Sequence, residues 1–158
     1  MQGKYGEALG YYKRALKLFL GVSERLREVN TLRAIGDVDR FQKDMGKALG
    51  YYEKALELFR EVDDRLGEAN TLASMSLLTL QQGQEEEARV FLNQAISFHQ
   101  TIGNHYGVAA TLGNFGLVLR ELGRIEEARP YLLQAAGIFD RIGLPQLAQD
   151  LRKAAGAK

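Results

Sequence analysis

Residues 46–72 read GKALGYYEKALELFREVDDRLGEANTL, and residues 6–32 read GEALGYYKRALKLFLGVSERLREVNTL. At a shift of 40 residues, 17 of these 27 aligned positions are identical. The same shift, without any insertion, continues along most of the 158-residue chain. It produces two alanine columns: Ala8, Ala48, Ala88 and Ala128, and Ala15, Ala55, Ala95 and Ala135. A period of this size predicts stacked copies of one structural unit.

Each unit has the pattern of two helices. In the segment 46–60 the apolar residues recur at spacings of three and four, as on one face of a helix, and we call this the B helix. The segment 65–82 carries a second stripe of the same kind, here called the A helix, and Gly83 ends it. The predicted B helices are 4–20, 46–60, 85–101 and 125–141, the predicted A helices are 24–42, 65–82 and 105–122, and a last helix spans 145–155.

The stretch Leu112-Gly113-Asn114-Phe115-Gly116, followed by Leu122-Gly123-Arg124 and Glu127-Ala128, resembles a tetratricopeptide repeat. The 40-residue period is similar to that of kinesin light chains, LGN-type adaptors and bacterial signalling proteins of this family. The resemblance covers residues 3 to about 142. It implies an all-α fold, a right-handed α-solenoid of antiparallel helical hairpins. It also implies a function in binding other proteins, without catalysis.

The repeat boundaries predict a single solenoid over residues 1–158. We expect a half repeat at 3–22, full repeats at 23–62, 63–102 and 103–142, and a C-terminal capping helix at 144–156. Pro145 suits the first turn of that last helix. Two residues depart from the pattern: Asp39 stands at an apolar position, and Lys43 replaces the turn glycine. We therefore expect either that Gly46 displaces the turn or that the connection over residues 40–46 is irregular.

Composition excludes several classes of function. A net charge of +1 argues against a nucleic-acid partner or a polybasic membrane anchor, and no apolar run reaches the length of a membrane span. The absence of cysteine excludes disulfides, thiol catalysis and cysteine-bound zinc. His99 and His105 lie six residues apart and do not share a helix face. The sequence contains no recognisable set of nucleophile and general base. We expect a cytoplasmic protein that is not an enzyme and needs no cofactor or metal.

A second stripe on the A helices is not needed for packing within a hairpin. By resemblance, this face lines the concave groove in which such repeats hold peptides. Its asparagines and Gln81 can pair with peptide amides, its leucines can form an apolar floor, and its arginines can meet a carboxylate. The candidate peptide-binding residues are Asn30, Arg33, Asp37, Arg40, Asn70, Leu77, Leu80, Gln81, Asn114, Leu117 and Arg120.

Four alternatives remain open. The leucines of this stripe could contact only the neighbouring A helix, with the arginines solvated. The first helix lacks a preceding A partner and leaves an apolar edge at Tyr5, Leu9, Tyr12 and Leu16. Either the chain is a self-association module that pairs through this edge, or it is a fragment whose upstream helix was removed. The chain could also be a regulatory segment of a larger signalling protein. The two-carboxylate clamp that some family members use for chaperone C-termini is not reproduced in these columns.

Overall fold

The computed structural model describes residues 2–19 and 25–156. These residues form eight helices and no strand: α1 Gln2–Phe19, α2 Arg25–Phe41, α3 Met45–Glu61, α4 Arg65–Gln81, α5 Glu85–Thr101, α6 His105–Glu121, α7 Ile125–Arg141 and α8 Pro145–Ala154. The all-α class and the helical hairpins predicted from the 40-residue repeat are confirmed. None of the helices in these ranges is both long enough and apolar enough to cross a membrane.

The connections from α2 onward are three residues long and recur every 20 residues. The second residue of each takes a positive φ angle, and this conformation favours glycine. The φ angles are 64° at Lys43, 54° at Asp63, 78° at Gly83, 69° at Gly103, 78° at Gly123 and 80° at Gly143.

Both expectations for residues 40–46 are wrong: the connection is regular, and Gly46 lies inside α3 and does not displace the turn. The Lys43 backbone N–H donates to the Arg40 carbonyl at 3.0 Å, and the Gly83 N–H makes the equivalent bond to Leu80 at 3.0 Å. Lys43 adopts the conformation that glycine adopts in the later turns. The hydrogen bonds that close the turn therefore outweigh the cost of placing a side chain at positive φ.

Side-chain caps begin three of the helices. The Asp64 carboxylate accepts from the Gly67 N–H at 2.9 Å, and Asn104 accepts from the Gly107 N–H at 2.8 Å. Asp44 accepts more weakly from the Lys47 N–H at 3.5 Å. These bonds satisfy backbone donors that have no partner inside the helix.

The A helices form the inner layer of the solenoid. Each packs on the B helix that follows it, in the pairs α2 with α3, α4 with α5 and α6 with α7. Along the stack the A-type helices α2, α4, α6 and α8 also approach one another, while no two B-helix backbones come as close in the described ranges. Because the spacing is smaller on the A side, that side faces the inside of the curve.

Close packing of the A helices on the B helices depends on residues that have no side chain or a small one. Gly36 lies against the Tyr52 ring, and Gly116 lies against Leu132. A Cβ at Gly116 would stand 2.8 Å from Leu132 Cγ and 3.2 Å from the Ala128 carbonyl oxygen. These glycines let each large B-helix side chain reach the A-helix backbone, and Tyr52 and Leu132 are fully buried there.

Asp39 breaks the apolar pattern of the core. It is 2 % exposed, and its Oδ2 atom has no hydrogen-bond partner. Burial raises the pKa of this carboxyl, with Lys13 acting in the opposite direction. The corresponding residues forty and eighty positions later are Thr79 and Leu119, both buried.

Candidate functional site

The inner face carries two open cavities that meet at Leu77 and Asn114. One has a volume of about 350 Å³ and lies between α4 and α6, with Arg33 at its α2 side. The other, about 670 Å³, lies toward the helix C-termini and is bounded by Arg40, Gln81 and Leu117. Together they form one groove across the A helices, which we call the inner groove.

Asp37 is a structural centre beside the inner groove, where it binds two of the lining residues, Arg33 and Ser74. Its Oδ1 accepts from the Tyr52 hydroxyl at 2.6 Å and from Ser74 Oγ at 3.0 Å, and its Oδ2 accepts from Arg33 Nη1 at 3.2 Å. Burial and the Asp37 charge both raise the pKa of Tyr52, so its hydroxyl stays protonated and remains a donor. The carboxylate joins α2, α3 and α4, and this corrects its interpretation as a ligand-binding residue.

Arg40 is buried where the sequence suggested an accessible cation. The residue is 8 % exposed, and its Nη1 donates to Gln81 Oε1 at 3.3 Å. The Phe41 ring covers the guanidinium, with its centroid 4.5 Å from Cζ. Both Arg40 and Gln81 line the larger cavity.

Four other predicted residues lie together along the groove. Asn70 lines the smaller cavity, Leu117 lines the larger one, and Leu77 and Asn114 line both. Leu77 and Leu117 are half-buried and also pack on the core, while Asn114 is exposed. Apolar side chains and an amide thus share one surface.

Four predicted residues, Asp37 among them, lie outside the lining of both cavities. Leu80 is 3 % exposed and belongs to the core cluster with Leu92 and Phe115, so its interpretation as part of the groove floor is wrong. Arg120 and Asn30 are exposed on α6 and α2. Leu80 is covered because further helices pack on α4 from both sides.

The sequence interpretation missed a third cavity between α6 and α8. Its volume is about 320 Å³, and Tyr106, Asn114, Leu147 and Asp150 line it. Tyr106 also lines the smaller cavity of the inner groove, as does Leu66, which occupies the same column forty residues earlier. These two residues are 52 % and 46 % exposed, so an exposed apolar residue recurring in one column was the available signal.

His99 is a packing residue. It is 1 % exposed and occupies the column of Phe59 and Phe139. Its Nδ1 lies 3.2 Å from Asn104 Nδ2, and burial lowers the pKa of the imidazole. Within the described ranges, no three acidic or imidazole side chains are grouped as a metal site would require.

The predicted edge on α1 is partly covered by α2 and its neighbours. The Tyr5 ring stacks on Phe41 with centroids 6.0 Å apart, Leu16 packs on the core, and Leu9 is half-buried. Tyr12 is 36 % exposed, and the adjacent Tyr11, which the sequence interpretation did not single out, is 67 % exposed.

Comparison with family profiles finds the tetratricopeptide repeat at residues 1–61 and 28–101, and again at 108–138. Comparison with curated protein sequences found no match. Comparison with solved structures found many similar folds.

Three similar structures illustrate the range. Aspartyl phosphate phosphatase F from Bacillus subtilis has a TM-score of 0.76 at 17 % identity, over 98 % of this chain and 44 % of its own. The Rap conjugation gene regulator of the plasmid pLS20, solved with the Phr* peptide, has a TM-score of 0.73 at 15 % identity, over 98 % and 48 %. A putative kinesin light chain of Podosopora anserina has a TM-score of 0.64 at 13 % identity, over 98 % and 87 %. This chain spans less than half of the first two proteins.

Proposed function

The chain belongs to the tetratricopeptide repeat family, and from that premise we propose that it is a non-catalytic module that binds a peptide or helix of another protein in the inner groove. The observation that carries the proposal is the continuity of the two cavities through Leu77 and Asn114. The groove offers apolar contact area and side-chain amides along one line, in the part of the fold where A helices approach each other.

The chemistry of the lining suits an extended chain. A bound peptide exposes backbone N–H and C=O groups, and an asparagine amide can donate to one and accept from the other. Asn70 and Asn114 supply such amides, and Leu77 and Leu117 supply a surface for an apolar side chain. The larger cavity is the more apolar of the two, and a few polar groups beside apolar side chains are typical of binding sites.

The walls of the groove are held in place before any ligand binds. Asp37 connects Arg33, Tyr52 and Ser74, which belong to three different helices. A braced wall loses little conformational entropy on binding, and this favours affinity. The peptide complex of the plasmid pLS20 regulator shows that a protein of similar fold holds a peptide, and this supports the proposal.

Peptide selection tests the proposed function. A phage library of random dodecapeptides selected on the full chain should yield binders whose affinity falls roughly three- to tenfold in Asn114→Ala, because one or two hydrogen bonds are lost. Gln94→Ala, an exposed amide on the B helix α5, is the matched control and should bind as the wild type does. Peptides that bind Asn114→Ala and Gln94→Ala with equal affinity, or a library without enrichment, would contradict groove binding.

The second candidate function is self-association through α1. Tyr12 is 36 % exposed, while Tyr52, Leu92 and Leu132 in the same column are at most 2 % exposed. In the hairpins α2–α3 and α6–α7 that column is covered by the preceding A helix, at Gly36 and Gly116. An exposed aromatic at a position built for burial suits a contact with a further helix, and in this candidate function a second copy supplies it; burying such a side chain contributes about 1.5–3 kcal/mol.

Light scattering at micromolar concentration tests self-association. We expect a mass above that of the 17.6 kDa monomer, falling toward it when Leu9 and Tyr12 are both changed to glutamine. Leu133→Gln is the control, since Leu133 is 41 % exposed on the B helix α7 and lies away from α1. A monomeric wild type whose mass the double variant leaves unchanged would remove this candidate.

A further inference from the structure

A second groove lies between the B helices α5 and α7, on the side of the solenoid away from the inner groove. Its volume is about 570 Å³. It opens there because no two B-helix backbones in the described ranges come as close as the A-type helices do. We call it the outer groove, and its lining has an aliphatic floor, Ile96, Val108 and Ile138, and an exposed polar rim, Gln100, Gln134 and Arg141.

The preceding repeat covers the same place, between α3 and α5, with its own side chains. There the Arg60 Nε donates to Glu68 Oε2 at 3.4 Å, and Arg65 lies over the Phe98 ring with its Cζ 5.5 Å from the centroid. Glu68 is only 6 % exposed, so a carboxylate lies in the floor of this groove and is paired with an arginine.

The sequence of the next repeat removes this cover. Gln100, Val108 and His105 occupy the columns of the ion pair and of the stacked arginine. Each is shorter than the side chain it replaces, and the buried carboxylate has become an aliphatic group. The groove between α5 and α7 is therefore open and has an apolar floor, in which Val108 is 6 % and Ile138 9 % exposed.

Arg141 is an exposed cation at the rim, in the column where the preceding groove has Thr101. The adjacent carboxylate, Asp140, pairs with Arg152 of α8. In the part of the chain that the structure describes, no carboxylate lies at ion-pair distance from Arg141. The outer groove thus combines an apolar floor with an unpaired positive charge, and it lacks the carboxylate that Glu68 supplies in the preceding repeat.

The lining favours a helix over an extended chain as the occupant. An extended peptide would place backbone N–H and C=O groups against an aliphatic floor that offers them no hydrogen-bond partner, and leaving such groups unpaired is costly. A helix satisfies its own backbone groups and presents apolar side chains along one face, three, four and seven residues apart.

We propose that the outer groove docks an amphipathic helix of another protein, whose aliphatic side chains cover Val108 and Ile138 and whose aspartate or glutamate pairs with Arg141. The partner supplies the carboxylate that the chain provides for itself at Glu68. The outer groove shares no lining residue with the two cavities of the inner groove, so this docking is independent of the function proposed there.

A display library of helical peptides tests the docking. The probes have about 20 residues, enough for a stable helix, with one face randomised, and they are selected on the full chain. The Gln100→Arg/Val108→Glu double variant introduces the ion pair of the preceding repeat into the outer groove, and it should weaken the enriched helices roughly tenfold or more by filling their place. Asn114→Ala, which changes the inner groove, should bind them as the wild type does.

The Arg141→Gln variant tests the ion pair. Enriched helices are resynthesised with each acidic residue changed to its amide, and one such change should weaken binding to the wild type roughly three- to fivefold, as for an exposed ion pair. Arg141→Gln should bind both forms equally. Arg89→Gln, an exposed arginine at the start of α5, is the matched control and should keep the preference for the acid.

The melting temperature of the double variant should lie within a few degrees of the wild-type value, since the same ion pair is accommodated forty residues earlier. If the double variant does not fold, the Arg141→Gln comparison decides alone. A library without enrichment, helices that depend on Asn114 and not on the double variant, or an Arg141→Gln protein that keeps the acidic preference would overturn the proposal. So would a wild-type mass in light scattering that the double variant alone lowers to the monomer, because a second copy would then occupy the groove.

Discussion

At the scale of single residues, the turns show where the chain departs from its own repeat. Lys43 and Asp63 hold φ angles of 64° and 54° at positions where the later turns have glycine. A side chain in this conformation costs roughly 1 kcal/mol. The Lys43→Gly variant should therefore raise the free energy of unfolding by about 0.5–1 kcal/mol, as measured by urea denaturation.

Replacing a turn glycine by alanine tests whether the positive φ angle causes this effect. Gly83 has a φ of 78°, and no atom would lie within 4 Å of an added Cβ, so Gly83→Ala changes the backbone cost alone. We expect that variant to lower stability by about 1 kcal/mol. If Lys43→Gly destabilised the protein, the lysine side chain would be making an interaction that outweighs its backbone strain.

His99 makes the stability depend on pH. Burial lowers the pKa of this imidazole in the folded state, while the unfolded chain keeps a value near 6.5. Between these two values the unfolded state binds more protons, so stability is fully present above about pH 6.5 and is lost as the pH falls through that range.

The His99→Phe variant isolates this effect. Phenylalanine occupies the same column at Phe59 and Phe139, and Asp39, whose raised pKa acts in the opposite direction, is unchanged. We expect urea midpoints of the variant to fall less than those of the wild type between pH 7.5 and pH 5.5. Parallel pH profiles of the two proteins would show that His99 does not titrate in this window.

Residue-level roles were the hardest part to predict from the sequence. Column position identified the stripe that contains Arg33, Asp37 and Arg40, but a column does not report which side chains bind each other. Asp37 is engaged by Tyr52 and Ser74, which lie 15 and 37 residues away. Such contacts between repeats depend on the stacked structure, and they change Asp37 from a candidate ligand into a brace.

At the scale of helices, alanine substitutions of glycine measure the cost of placing a side chain where an A helix packs closely on a B helix. Gly116 on α6 lies where a Cβ would stand 2.8 Å from Leu132 Cγ and 3.2 Å from the Ala128 carbonyl oxygen. Gly116→Ala must separate α6 from α7 or displace Leu132. We expect it to reduce stability by about 1–3 kcal/mol, measured by urea denaturation.

Gly137 on α7 is the matched position. It lies inside the helix, and an added Cβ there meets nothing within 4 Å. Gly137→Ala should therefore raise stability by about 1 kcal/mol, because alanine is the better helix former. Two alanine substitutions with the same sign would contradict the packing explanation for the small-residue column.

Helix bounds were predictable because the repeat supplies several copies of each signal. Gly83 and Gly123 indicated where A helices end, and the 40-residue shift transferred those ends to positions without glycine. The bounds of α5 and α7 agree with the prediction. The cavity between α6 and α8 was not predicted, because α8 was interpreted only as a cap and the repeat offers no second example of a cap.

At the scale of the whole molecule, the inner groove exists only in the stacked array. Its two cavities take their walls from α2, α4 and α6, and no single hairpin contains them. Ligand affinity and stacking are therefore linked, since a bound peptide would stabilise the interfaces between repeats. On the C-terminal side α8 packs on α7, where Arg152 pairs with Asp140 and Arg129 donates to the Ala155 carbonyl.

The other end of the array should be its least stable part. None of residues 3–16 of α1 is fully buried, and within the described ranges the α1 backbone approaches only that of α2, while α6 buries ten residues among α4, α5, α7 and α8. Local opening free energies follow buried contacts, so amide exchange should be fastest in α1. Hydrogen exchange followed by mass spectrometry should show at least tenfold lower protection in peptides from α1 than in those from α6.

Varying the protein concentration in the same exchange experiment distinguishes a weakly packed α1 from an α1 that forms an interface between two copies. If a second copy covers Tyr12, protection of α1 rises with concentration while that of α6 stays constant, because association stabilises only the residues it buries. The Leu9 and Tyr12 double glutamine variant should abolish the rise. Protection of α1 equal to that of α6 at every concentration would contradict the stability gradient, since it would require cooperative unfolding of the whole array.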